Sequence, residues 1–187
     1  MNPPTKETNP AWKRGFWSLF CVQFQGAFSD NVFKFLVIFI VSAQVTGEVR
    51  DQYISIVLAV FALPFILFAM AGGYVADRYR KRTVVINTKI MEVAVMALGA
   101  LGLYLQNLPL LLVVVFLMSV QSAFFGPSKY SLLPEMLPES KLSWGNGILS
   151  LGTFMAIITG GITAGALSQN LTGNDAWWAG IGLVGLA

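Results

Sequence analysis

The chain has 187 residues, 56% of them hydrophobic and only 11% charged, with a formal net charge of +3 and a mean hydropathy of +0.68. Soluble domains carry about a quarter charged residues, so this composition excludes an ordinary soluble domain and indicates a membrane protein. One cysteine, Cys21, and no histidine exclude a disulfide within the chain and histidine-based catalysis or metal binding, and basic residues gathered in loops argue against a nucleic-acid partner.

Residues 1–15 are polar, with Lys6, Lys13 and Arg14, and read as a cytoplasmic tail. The apolar run that follows is too long for a signal-peptide h-region of about 7 to 15 residues, so it predicts a first transmembrane span over 16–41. Into that span the sequence puts Gln23, Gln25, Ser29, Asp30, Asn31 and Lys34. An Asp or Lys at a helix centre costs about 2.5–3.5 kcal/mol on insertion scales, so these side chains need a polar environment. At 3.6 residues per turn Gln23, Asp30 and Lys34 share one stripe with the small Ala27 between them, which predicts a helix face turned to a cavity. The i, i+4 spacing also allows Asp30 and Lys34 simply to neutralise each other.

At about 20 apolar residues per crossing, further spans are predicted over 54–75, 84–105, 108–130 and 142–167. A sixth begins at 177, and its eleven residues make roughly 16 Å of helix against a hydrocarbon core of about 30 Å, so it is expected to be incomplete. Between spans two and three lies a basic loop with Arg78, Arg80, Lys81 and Arg82. Lys89 and Glu92 stand one turn apart in span three and suit an internal ion pair. The inner end of span four carries Gln121, Ser122, Gly126, Pro127, Ser128, Lys129, Tyr130 and Ser131. Gly126 and Pro127 are expected to open the helix there and present Lys129, either to a phosphate head group or as an inner-face anchor that snorkels to the lipids. In span five, Gly160, Gly161 and Gly165 predict close helix packing.

Basic residues divide unequally between the two sides. Lys6, Lys13, Arg14, Arg78, Arg80, Lys81, Arg82, Lys129 and Lys141 fall in or beside the tail and the even-numbered connections, whereas the opposite side carries only Arg50. Such a bias predicts a cytoplasmic N-terminus.

Gly73, Asp77, Arg78, Lys81 and Arg82 form a Gly-x-x-x-Asp-Arg-x-x-basic-basic pattern between two spans. It resembles the signature joining the second and third helices of major facilitator superfamily transporters, with Arg80 where a second glycine is usual. The resemblance implies an all-α membrane fold of two six-helix halves, each made of two inverted three-helix repeats, with the substrate site between the halves near the midplane. This chain then corresponds to the N-terminal half, 16–187, its sixth helix cut, and its partner is the C-terminal half of the same protein. The signature loop is expected to act as a gate, Asp77 accepting hydrogen bonds from a helix N-terminus or pairing with Arg78 or Lys81. A short echo fits the repeats: Ala27 and Phe28 in span one, and Ala123 and Phe124 in span four, each precede a polar cluster ending in a lysine.

The strings GAFSDN (Gly26 to Asn31), GPSKYSLLPE (Gly126 to Glu135) and WGNG (Trp144 to Gly147) are similar to segments of bacterial lysophospholipid transporters, including those fused to acyl-carrier-protein synthetase and acyltransferase domains. That similarity implies a protein of the inner membrane that flips lysophospholipid between leaflets, with Asp30, Asn31 and Lys129 against the head group. Gln23 and Lys34 join them as substrate-binding candidates because they share the polar stripe. Transport needs no catalytic residue and no cofactor. A coupling cation, sodium or proton, is expected at Asp30, because an isolated intramembrane carboxylate is a usual ion or proton site. Two alternatives stay open: a facilitator for another solute such as a drug or sugar, and the lipid-delivery module of a fused acyltransferase.

Overall fold

A computed structural model of the protein describes residues 11–170 and Gly182. The described residues form five long helices: α1 (Ala11–Gln44), α2 (Gly47–Arg78), α3 (Lys81–Tyr104), α4 (Leu108–Met136) and α5 (Leu142–Asn170), with a 3-10 turn at Glu139–Lys141 before α5. Each of the five is long and apolar enough to cross a membrane. At 1.5 Å per residue, the 24 to 34 residues of each helix span roughly 36 to 51 Å, more than the hydrocarbon core of about 30 Å. The helices therefore run past the apolar stretches that hydropathy picks out. Ala11–Gly15, expected as tail, is the first turn of α1, and α2 starts at Gly47 rather than near 54. Residues 1–10 of the tail and the sixth span, apart from the helical Gly182, lie outside the described residues.

Short connections force successive helices to run antiparallel. Gly47 opens α2 at φ +64°, a left-handed conformation that glycine adopts without steric cost. Asn107 caps α4, its side-chain oxygen accepting a 2.9 Å hydrogen bond from the Leu110 amide, with Pro109 in the first turn where its missing N–H costs nothing.

Packing pairs α1 with α5, α2 with α4, and α3 with α4. The main core lies among Phe33, Leu36 and Val37 of α1, Val57 of α2, Val95, Met96 and Leu103 of α3, and Leu111, Val114 and Met118 of α4. A second cluster closes the other end of the bundle, with Phe16, Leu19, Leu133, Leu137 and Leu149. Large apolar side chains also point outward, Ile66 and Met70 on α2 and Phe154 and Ile162 on α5 among them. In a bilayer this is the favourable arrangement, because lipid tails are as apolar as leucine.

Two glycines let the backbones of neighbouring helices meet. A Cβ at Gly72 of α2 would sit 2.6 Å from the Ala123 carbonyl oxygen of α4, and one at Gly160 of α5 would sit 3.1 Å from the Phe28 carbonyl oxygen of α1. Gly73, the glycine of the basic-loop signature, has open space around it. The first crossing also corrects the expectation of an opened helix at Gly126–Pro127, because α4 continues unbroken to Met136. Pro127 has no N–H for the Ala123 carbonyl four residues back, and that freed oxygen turns to the Gly72 backbone, which approaches it without a side chain. Hydroxyls support the same stretch, Ser128 donating to the Phe124 carbonyl at 3.1 Å and Ser131 to that of Ser128 at 3.1 Å. Neighbouring groups of this kind let proline stand inside a transmembrane helix.

Candidate functional site

Three polar residues of α1, Gln23, Asp30 and Lys34, turn to three different helices, while Asn31 stays on α1 and donates to the Ala27 carbonyl at 2.8 Å. Gln23 turns to α5, its amide nitrogen donating to the Leu149 carbonyl at 2.7 Å and to the Thr153 hydroxyl at 2.5 Å. Asp30 turns to α4, where Oδ2 accepts a 2.5 Å hydrogen bond from the Ser122 hydroxyl. Lys34 turns to α2: its ammonium lies 4.4 Å from the ring centroid of Phe61 and 4.6 Å from that of Phe35, and donates to Asn31 Oδ1 at 2.7 Å. Asp30 and Lys34 form no direct salt bridge; each side chain is held instead by the partners just named. Gln23, Asp30, Asn31 and Lys34 are all buried.

Between the helices lies a cavity of about 300 Å³, within the range of small-molecule sites. Each of the five described helices contributes to its wall, α1 with Gln23, Asp30 and Asn31, α2 with Phe61 and Phe65, α3 with Lys89 and Glu92, α4 with Gln121, Ser122, Phe125 and Lys129, and α5 with Thr153. Of the five substrate-binding candidates, Gln23, Asp30, Asn31 and Lys129 line the cavity. Lys34 stands just beyond the lining, behind Asn31 and Phe61.

Three buried oxygens of lining residues lack a hydrogen-bond partner: Asp30 Oδ1, Gln23 Oε1 and Gln121 Oε1. Buried acceptors are normally satisfied, and leaving one unpaired costs about 1–3 kcal/mol, so these groups favour an occupant that brings donors. Lys129 brings the opposite property. It is buried, its ammonium faces the rings of Tyr130 at 4.8 Å and Phe125 at 5.9 Å, and no carboxylate among the described residues pairs with it. The cavity thus offers a carboxylate oxygen and a free cation on largely apolar walls, a combination that suits a charged head group attached to an acyl chain.

Lys89 and Glu92 line the cavity from α3. Glu92 Oε2 accepts from Lys89 at 2.6 Å and from Gln121 at 3.0 Å, while its Oε1 accepts from Gln25 at 3.2 Å. Lys89 also donates to Gln25 Oε1 at 2.8 Å. This network joins α1, α3 and α4 and fully satisfies a carboxylate that is 1% exposed, so the pair suggested by the sequence is present and serves as a three-helix tie.

The candidate gating residues sit apart from the cavity, at the turn between α2 and α3. Lys81 pairs with Glu135 of α4 instead of Asp77, because the turn carries Lys81 to the first residue of α3 beside the end of α4. Asp77, Arg78 and Arg82 are exposed and make no ion pair among the described residues.

Sequence reasoning did not single out Thr153, Phe61 or Phe65 as site residues. A lone threonine among apolar residues and two phenylalanines in an apolar helix carry no periodic signal; their place in the site comes from helices that cross there.

Comparison with known proteins adds a family. The model described as Major Facilitator Superfamily matches residues 18–187. Proteins named Lysophospholipid transporter LplT from Salmonella newport (strain SL254), Salmonella typhi and Salmonella typhimurium (strain LT2) are each 29% identical to the chain over 169 residues. The alignment covers 90% of this chain and 40% of each relative, so the chain spans well under half the length of the curated relatives it matches. No solved structure gives a significant match.

Proposed function

Because the chain belongs to the major facilitator superfamily, we propose that it forms the N-terminal six-helix half of a transporter that flips lysophospholipid between the leaflets of the inner membrane by alternating access. The observation that carries this reading is the pairing, in one cavity with apolar walls, of an unpartnered Asp30 oxygen with the free Lys129 ammonium. An amino-phosphate head group complements both, its ammonium toward Asp30 and its phosphate toward Lys129, with a single acyl chain along Phe61, Phe65 and Phe125. Similarity to proteins named as lysophospholipid transporters supports the same substrate class.

Two inverted three-helix repeats are part of the proposal. Supporting them, the α1 with α5 and α2 with α4 pairs are the principal packings, and in each a glycine faces a backbone carbonyl of the partner helix, in keeping with repeats that exchange the roles of α1 and α4, and of α2 and α5. A cytoplasmic N-terminus follows from the basic residues gathered on one side. In the complete transporter, Asp77, Arg78 and Arg82 are free to latch the second half at the inner face, with Gly73 leaving room for its approach and Lys81 held on Glu135. Asp30 is the proposed site of a coupling sodium ion or proton.

The test is transport by the full-length protein in proteoliposomes, comparing fluorescent lysophosphatidylethanolamine with a sugar and a cationic drug. Selective movement of the lysolipid is expected, and selective movement of either other solute would refute the reading.

A further inference from the structure

Lys34 and Lys129 occupy matching positions in two oppositely directed helices. In α1 the carbonyl at the close crossing belongs to Phe28, against Gly160; in α4 it belongs to Ala123, against Gly72. Each lysine follows its crossing carbonyl by six residues, about 9 Å along a helix. Each is buried, and each lies over the ring of the residue that follows it, Lys34 at 4.6 Å from Phe35 and Lys129 at 4.8 Å from Tyr130. Neither has a carboxylate partner among the described residues. Since α1 and α4 run in opposite directions, the two ammonium groups stand beyond the crossings toward opposite faces of the membrane.

We infer that Lys34 is a second anion station, equivalent to Lys129, which receives the phosphate of an amphiphile at the face of the membrane opposite Lys129. This rests on the proposed lysophospholipid reading and adds a path to it. Asn31 and Phe61 both line the cavity, and the Lys34 ammonium touches both. It uses one hydrogen bond, to Asn31, so further donors are left for a phosphate oxygen. Ring faces hold a cation without neutralising it, so the charge stays available in a way that an Asp30–Lys34 ion pair would not permit. A phosphate then moves from one lysine to the other while the acyl chain stays on the apolar wall, and both stations lie within this half.

The experiment measures initial rates of lysophosphatidylethanolamine movement by the full-length protein in oriented vesicles, with lipid supplied from one face or the other. Lys34→Met keeps the length and the ring contacts and removes the charge; Lys34→Arg keeps the charge, and melting temperatures in detergent check that both variants fold. Lys34→Met is expected to slow loading from the outer face by about tenfold, the loss of one charge-assisted contact. Loading from the inner face should change by less than about twofold on the same scale, and Lys34→Arg should restore most of the outer-face rate. Lys129→Met should show the opposite sidedness. Equal slowing from both faces, or none, in a folded Lys34→Met protein would overturn the second station and leave the substrate reading standing. No movement of lysolipid by the wild-type protein would overturn that reading and this inference together.

Discussion

Ser122 of α4 donates a 2.5 Å hydrogen bond to one carboxylate oxygen of Asp30 on α1 and leaves the other, Oδ1, buried and unpartnered. The bond fixes the carboxylate at the cavity wall with one acceptor free. Ser122→Ala removes a hydrogen bond to a charged group and is expected to lower stability by about 1.5–3 kcal/mol, read as a fall in melting temperature in detergent. Ser122→Thr keeps the hydroxyl and should retain most of it.

Asp30 is expected to couple transport to a cation. Asp30→Asn keeps size and hydrogen bonding but removes the charge, so any dependence of lysolipid uptake on a sodium or proton gradient should vanish. Uptake by proteoliposomes with and without imposed gradients measures this, and gradient dependence equal to wild type would contradict the role.

The Lys89–Glu92 tie gives a sharper stability test. Truncating Glu92 to Ala removes the carboxylate that the part-buried Lys89 ammonium and two glutamine amides share. Losing one partner of a fully buried pair costs about 3–5 kcal/mol, and less is expected here because the Lys89 side chain is 18% exposed and keeps Gln25. The double variant Lys89→Met with Glu92→Leu removes both charges and should recover much of the loss. Thermal unfolding of the two variants side by side decides between a tie that requires its charges and one that only fills space.

Neighbouring glycines at the end of α2 should behave oppositely. Gly72→Ala puts a methyl group against the Ala123 backbone oxygen, which cannot rotate away, and is expected to destabilise by about 1–3 kcal/mol. Gly73→Ala meets open space and a helical backbone, so its melting temperature should match or slightly exceed that of the wild type.

Lys81 and Glu135 form a pair whose side chains are 25% and 56% exposed. Exposed pairs contribute about 0–1 kcal/mol, so Lys81→Gln should barely move the melting temperature. A large change in transport rate without a change in stability would identify the pair as part of the gate.

Much of this architecture was legible in one dimension. Five membrane-length helices follow from hydropathy, because a bilayer demands about 20 apolar residues per crossing whatever the tertiary contacts are. The polar stripe of α1 was equally plain, since buried charges among phenylalanines and valines need a reason. The continuity of α4 through Gly126–Pro127, in contrast, is not legible in the local pattern. Proline breaks a helix when its freed carbonyl finds nothing, and here Ala123 O lies against Gly72, a residue some fifty positions earlier that no local pattern connects to it.

The sequence by itself determined the membrane class, the basic loop and the identity of the charged residues inside the bundle, because each depends on local composition and a helical period. Only the tertiary structure decided what those residues do. Spacing tells which face of a helix a side chain occupies but not which neighbour that face meets. Gln23 reaches α5 across a separation of 126 residues, Asp30 reaches α4 across 92, and Lys34 rests between rings of α1 and α2. Three residues of one stripe thus became a brace, a half-free carboxylate and a cation held on aromatic rings without a salt-bridge partner, since the helices cross where glycines let their backbones meet.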